Sequence, residues 1–275
     1  MKEITTSDLT KVLGFNPSAE QLAAIVSPLE PSMIVAGAGT GKTTVMAGRI
    51  AWLIMTQQVA PDRILGLTFT TKAANELLTR VRSFLPAALK YLPDESAHTD
   101  LGESVISTYN AFGSRLLKEH ALRLGLEPDA RVVVDATRYQ LAMRVVCQSH
   151  YDLGGLGYSP TTAVTELLKL DEQCSNYLVD PNLIIESDIQ RLVGLESIEK
   201  KQELTHDMIK TCQKRIALAK LVMDFRQAKI ANDVIDYADQ IRLAAQAAQN
   251  SQAMRDILKD QFHVVLLDEY QDTSL

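Results

Sequence analysis

The sequence is short of the residues that cross-link a chain or bind a metal. Its three cysteines, Cys147, Cys174 and Cys212, are widely spaced. None forms a C-x-x-C pair and the count is odd, so a disulfide scaffold is disfavoured and a reduced, cytoplasmic setting fits. The five histidines (His98, His120, His150, His206 and His263) are scattered without H-E-x-x-H or similar ligand spacing. No stretch reaches the ~18 apolar residues that a membrane helix requires, and Met1–Thr6 lacks the apolar core of a signal peptide. Positive charge is also in deficit, with a formal net charge of −6. That excludes a generally basic coat for nucleic acid but leaves room for a local basic track. There is no internal repeat and no low-complexity tract. The lone Trp52 reads as a core residue rather than a base-stacking platform.

What is present suits a globular protein: 275 residues, 46% hydrophobic and 23% charged, enough for one large domain or two ordinary ones. The chain is organised around Met33-Ile34-Val35-Ala36-Gly37-Ala38-Gly39-Thr40-Gly41-Lys42-Thr43-Thr44. The apolar run predicts a buried strand, the glycines a tight turn, and Lys-Thr-Thr the start of a helix carrying Val45, Ile50, Leu53 and Ile54. That is the context of a phosphate-binding loop. Small residues allow consecutive backbone N–H groups to wrap a polyphosphate, and the helix N-terminus adds its positive dipole end. Lys42 would reach the β/γ phosphates and the Thr43 hydroxyl would hold Mg²⁺. Ala36 stands where the strict pattern has its first glycine. Upstream, Ser18 and Gln21 form an S-x-x-Q capping box for a helix over Ala19–Ile25. Gln21 could instead read an adenine edge through its amide.

Two further strand–turn–helix units follow. Arg63–Phe69 predicts a buried strand leading through Thr70-Thr71 into a helix, Lys72–Leu85. Ser104–Tyr109 predicts another, entering a helix that runs to about Arg123. Three such units in succession predict a parallel, doubly wound α/β sheet whose ligands sit beyond the carboxyl ends of its strands. After about Gly125 the pattern turns helical. A short strand, Val132–Val134, precedes a helix over Ala136–His150 with Asp135 as N-cap. Glu203–Ile230 predicts a long helix whose Lys210, Lys214, Arg215, Lys220, Arg226 and Lys229 read first as a solvated face, with DNA contact as the lesser reading.

The sheet then returns. Phe262–Leu267 is a dense apolar strand ending in Asp268-Glu269-Tyr270-Gln271-Asp272. An acidic pair at the end of a buried strand is costly unless a cation meets it. Nucleotide-bound Mg²⁺ is the natural partner, with Asp268 on the metal and Glu269 placed to orient and deprotonate a water. The wide separation of Lys42 and Asp268 implies a helical domain inserted into the sheet domain. This divides the chain into 1–124, 125–229 and 230–275, the last ending early enough to suggest a piece of a longer protein.

Together these stretches resemble the UvrD/Rep family of superfamily-one DNA helicases, over the first RecA-like motor domain and its inserted helical subdomain. Phe15–Gln21 resembles the Q motif, which would assign Gln21 to adenine. Ala36–Thr43 resembles the family's Walker A with its alanine start, and Asp268–Asp272 its Walker B. Leu67–Leu77 and Ser107–Phe112 resemble two single-strand-contacting motifs, the second with Asn110 where the family often has histidine. The resemblance implies ATP and Mg²⁺ as cofactors. Nucleotide would lie on Gln21, Ala38, Gly39, Thr40, Gly41, Lys42, Thr43 and Thr44, and Mg²⁺ on Thr43 and Asp268. Lys42, Asp268, Glu269 and Gln271 would form the catalytic set. DNA contacts fall to Thr68, Phe69, Thr70, Lys72, Thr108, Tyr109 and Asn110, with Phe69 and Tyr109 stacking on bases. The implied partners are single-stranded DNA, duplex junctions and a second RecA-like domain that supplies arginine fingers, with no membrane involved. The implied activity is ATP-driven 3′→5′ translocation and unwinding in repair or replication. The motor subunit of a helicase–nuclease complex shares these motifs, and a non-motor P-loop binding module is the rival from another class. Asp236-Tyr237-Ala238-Asp239 resembles a recurring D-[FY]-x-D element. Its own residues predict a helix with Tyr237 packed inward and the aspartates exposed.

Overall fold

A computed structural model describes residues 4–37, 39–92, 102–124, 130–198 and 202–272. Two compact units share the chain: one comprises Met1–Phe112 with Ser251–Thr273, and the other is built on Gly113–Asn250. In the first unit, α1 (Thr6–Leu13) opens on a Thr5/Asp8 capping box and stops at Gly14 with φ +75°. Helix α2 (Ala19–Val26) opens on the anticipated Ser18/Gln21 box. Helix α3 (Lys42–Met55) is buried continuously from Val45 to Ala51. It forms the centre of this unit's core with Leu9, Ile25 and Leu77, and Trp52 packs half-buried against that core. Arg49 is buried there too, donating to the carbonyls of Ile25 at 2.8 Å and Pro28 at 2.9 Å, which ties the end of α2 to α3.

Strand β1 (Ile64–Thr68) is buried at every position, as a strand covered on both faces must be. It leads into α4 (Thr71–Leu89), whose N-cap is the Thr70 hydroxyl, accepting from Ala73 N. Strand β2 (Val105–Thr108) runs directly into α5 (Tyr109–Leu124).

The second unit is mostly helical. Strand β3 (Arg131–Val132) precedes α6 (Asp135–Gln148), α7 (Pro160–Asn176), α8 (Pro181–Glu196) and the 29-residue α9 (Glu203–Ala231). Strand β4 (Val234–Ile235) pairs in parallel with β3, and α10 (Tyr237–Asn250) follows. Leu141, Val145, Leu167, Leu221, Val222 and Phe225 lie at the centre of its core. Asp135 proves to be the first residue of α6 rather than its cap, and Val134, which stands at the cap position, makes no side-chain bond to the helix.

Two further expectations fail in this unit. Not all the charges of α9 face solvent. Lys229 is buried and meets Asp171 at 3.1 Å, Asp236 at 3.1 Å and Asp239 at 2.7 Å, while Arg226 meets Asp171 at 2.7 Å. Arg215 grips the fully buried Asp188, whereas Lys210 and Lys220 stay exposed. The D-Y-A-D element is inverted as well: Asp236 and Asp239 are only 3% and 2% exposed, and Tyr237 is 55% exposed. The two carboxylates accept from each other's backbone N–H at 2.9 and 3.1 Å, forming an all-aspartate capping box at the start of α10. With Lys229, Arg138 and Arg242 beside them, they are satisfied inside. Tyr237 has no such requirement and can lie outward.

The chain returns to the first unit through α11 (Gln252–Gln261) and β5 (Val264–Leu267). The sheet order is β2-β1-β5, and every pairing is parallel. The apolar run Met33–Val35, expected as a buried strand, is not one. It forms no ladder among the described residues, and Met33 and Val35 are 79% and 89% exposed. Strand propensity expresses a fit to a pleated, half-buried surface, and this run meets neither a neighbouring strand nor a covering layer. No described helix is long and apolar enough to cross a membrane.

Candidate nucleotide site and nucleic-acid face

The site is built where α3 begins. Gly39 and Gly41 have φ +76° and +88°, the left-handed region that glycine enters freely. Gly41 also has little room for a side chain, since a Cβ there would stand 3.0 Å from Gln21 Nε2. The turn is braced from two sides. Thr40 Oγ1 donates to Gly37 O at 2.8 Å, and Gln21 Nε2 donates to Thr40 O at 2.9 Å. Gln21 Oε1 meanwhile accepts from Ser18 N at 3.0 Å. Both ends of that amide are therefore engaged, one in the cap and one on the loop. Ala38 lies outside the described residues.

No side chain caps α3, so its leading N–H groups face the turn as an anion-binding terminus. Lys42, its first residue, reaches across to the end of β5, with Nζ 3.2 Å from Glu269 Oε1 and 3.3 Å from Oε2. The loop lysine and the acidic pair, distant in the chain, thus share one site. Glu269 adopts φ +51°, an uncommon conformation for a residue with a side chain. Its N–H donates to Asp268 Oδ1 at 3.0 Å, and Gln271 Nε2 donates to its carboxylate. Asp268 N continues the ladder one step past β5, donating to Leu67 O at 2.8 Å.

The two acids differ electrostatically. Burial first, and then the Glu269 charge, push the Asp268 carboxyl above its ordinary value. Hydrogen bonds from Gln271 and then Lys42 hold Glu269 below its own. Among the described residues Asp268 has no ion pair within 4 Å. A half-buried carboxylate held at a penalty is the donor chemistry Mg²⁺ prefers. A glutamate that stays ionised at neutral pH, held by two donors, suits a water-orienting base.

The remaining predicted residues cluster at the same end of the sheet. Thr68 and Thr108 are register partners at the carboxyl ends of β1 and β2. Thr68 is fully buried and donates to Thr70 O at 3.1 Å, and Thr70 and Thr108 accept from Ala73 N and Ala111 N at 3.1 Å each. These three hydroxyls are committed to local structure. Phe69 is 56% exposed, Lys72 stands in solvent 3.9 Å from Glu76, and Asn110 is exposed. Tyr109 is half-buried: its ring packs with Leu65, Leu67 and Phe262, and its hydroxyl donates to Asp268 O at 3.1 Å. Sequence reasoning missed that bond. It also missed Arg80, whose guanidinium from α4 contacts the Thr44 hydroxyl. A basic residue nine positions into a helix carries no local mark of the turn it will face.

The chain is 26% identical over 260 residues to a probable DNA helicase of Mycoplasma pneumoniae, covering 93% of this chain and 42% of that protein. It is 29% identical over 264 residues to the ATP-dependent DNA helicase UvrD1 of Mycobacterium tuberculosis, covering 95% of this chain and 29% of the relative. With the DNA helicase II of Haemophilus influenzae the identity is 32% over 146 residues, or 53% of this chain and 19% of that protein. The chain therefore spans less than half the length of each relative. The model of the UvrD/REP helicase N-terminal domain matches residues 17–275, and on that match the chain belongs to the UvrD/REP helicase N-terminal domain family.

Proposed function

We propose that this chain is the nucleotide-binding part of an ATP-dependent DNA helicase that moves 3′→5′ on single-stranded DNA in repair or replication. In this reading the first unit is the first RecA-like motor domain, and the helical unit is a subdomain inserted into it. The observation that carries the reading is the Lys42–Glu269 contact of 3.2 Å, which joins the phosphate loop to the acidic end of β5. The α3 terminus and Lys42 hold the polyphosphate, and Gln21 keeps the glycine turn in shape for it. Thr43 and Asp268 would hold Mg²⁺, which would supply charge neutralisation at the phosphates. When Lys42 turns to the phosphates it releases Glu269, which then orients the attacking water while Gln271 steadies its carboxylate. Phe69 offers a stacking face, and Lys72 and Asn110 offer polar contacts, to a single strand lying over the ends of β1 and β2. A second motor domain in the same full-length protein supplies the arginine fingers, so the 275-residue chain by itself hydrolyses ATP barely, in a cytoplasmic setting.

The test is Lys42→Ala with a fluorescent ATP analogue and a labelled oligothymidylate. Loss of a charge-assisted contact predicts nucleotide affinity lower by roughly 10–100-fold. Phe69→Ala should weaken oligothymidylate binding by about fivefold or more, and that binding should fall steeply with salt. Single-strand binding indifferent to Lys42→Ala and to nucleotide would instead favour a non-motor P-loop module.

A further inference from the structure

We infer that Tyr109 is a positioning residue that links nucleic-acid contact at the end of β2 to the geometry of Glu269, through the hydroxyl it places on the Asp268 carbonyl. The inference rests on the nucleotide-site reading above. Its basis is that the ring and the hydroxyl of Tyr109 do separate things. The ring fills a small cluster with Leu65, Leu67 and Phe262, a task phenylalanine would do as well. The hydroxyl reaches out of that cluster to Asp268 O at 3.1 Å.

That carbonyl belongs to the peptide joining Asp268 to Glu269, and the same peptide's N–H is held by Asp268 Oδ1 at 3.0 Å. The peptide is gripped at both polar ends just where Glu269 takes φ +51°, a conformation that persists only when its surroundings over-determine it. The grip aims the Glu269 carboxylate at Lys42, 3.2 Å away.

Position supplies the other half of the link. Tyr109 is the first residue of α5 and lies between Thr108, whose hydroxyl caps that helix at Ala111 N, and the exposed Asn110. A phosphate or base that pulls on Asn110 shifts the start of α5, and with it the hydroxyl on the Asp268 carbonyl. By reciprocity, reorganisation of Glu269 when nucleotide arrives is felt at Asn110. The ligands are those already proposed, a Mg²⁺-nucleoside triphosphate and a single strand; what is new is the route between them.

The experiment measures that reciprocity in the 275-residue chain. Oligothymidylate affinity is determined with and without the Mg²⁺ complex of a slowly hydrolysed ATP analogue, in the wild type, Tyr109→Phe and Leu258→Ala, which loosens the same cluster without touching the carbonyl. In the wild type the analogue should shift oligothymidylate affinity by roughly fivefold or more. Tyr109→Phe should reduce the shift below about twofold, and Leu258→Ala should keep it. Because the readout is a ratio, any change in affinity for one ligand alone divides out. Tyr109→Phe with the full shift overturns the inference, as does Leu258→Ala losing it, which would assign the effect to packing. A wild type that binds nucleotide through Lys42 yet shows no shift overturns the inference and favours the non-motor module, whereas Tyr109→Phe with the full shift overturns the inference alone. Nucleotide binding indifferent to Lys42→Ala overturns the site reading, and the inference with it.

Discussion

The helical unit and the end of β5 both withdraw aspartates from water, and they treat them in opposite ways. In the helical unit Asp171, Asp188, Asp236 and Asp239 are each met at close range by Lys229 or by an arginine. Burial opposes ionisation of Asp239, yet Lys229 and Arg242 outweigh it and its pKa falls. At the end of β5, burial and a neighbouring acid win, and the pKa of Asp268 rises. A cluster whose charges are balanced within the protein holds the fold together. A carboxylate left at a penalty by its own protein is poised for a ligand.

The largest effect expected from breaking that contrast is on stability. Lys229→Met leaves three buried carboxylates facing one another without their shared cation, and should cost about 3–5 kcal/mol, seen as a lower urea midpoint. Lys42→Ala, which also removes a lysine from an acid, should change stability by no more than about 0.5 kcal/mol while lowering nucleotide affinity by roughly 10–100-fold. Equal losses at the two sites would end the distinction.

Asp268→Asn sharpens it further. The raised folded pKa means that the neutral carboxyl contributes stability below its unfolded value of about 3.9, and that this contribution is lost as pH rises through the higher folded value. Asparagine should therefore stabilise the nucleotide-free protein slightly at pH 7, with the gain vanishing in acid, while Mg²⁺-dependent nucleotide binding weakens. Asp239 runs the other way. With a lowered folded pKa, its contribution is present above the unfolded value and lost as pH falls through the folded one, so Asp239→Asn should destabilise most at neutral pH. Urea melts of both variants across pH 3–7 check the two signs. The smallest effect belongs to Tyr237→Ala. It sits between two aspartates of the cluster, but its ring is in solvent, and the change should stay within about 0.5 kcal/mol.

Much of the nucleotide site was legible because its chemistry is written locally. A glycine turn before Lys-Thr, and an acidic pair closing an apolar strand, keep their meaning without knowledge of neighbours. The capping box at Ser18 and the extent of α9 are equally local. The failures share a cause. Met33–Val35 has strand composition but no partner edge. Aromatic character predicts Tyr237 inward, and charge predicts Asp236 and Asp239 outward. Helical charges usually lie in solvent, which predicts Lys229, Arg226 and Arg215 there. In each case the deciding partner is remote in sequence: Asp171 for Lys229, Asp188 for Arg215.

The sequence by itself determined which groups could do phosphate chemistry here, because the N–H-rich glycine turn, the lysine and the acids are set by residue type and near neighbours. Only the tertiary structure decided that Lys42 meets Glu269, that the hydroxyl of Tyr109 holds the Asp268 carbonyl, and which charges are spent inside the helical unit. The physical reason is the short reach of the forces involved. A hydrogen bond or a desolvated ion pair acts over a few ångströms, so its partner is chosen by the fold and not by spacing along the chain.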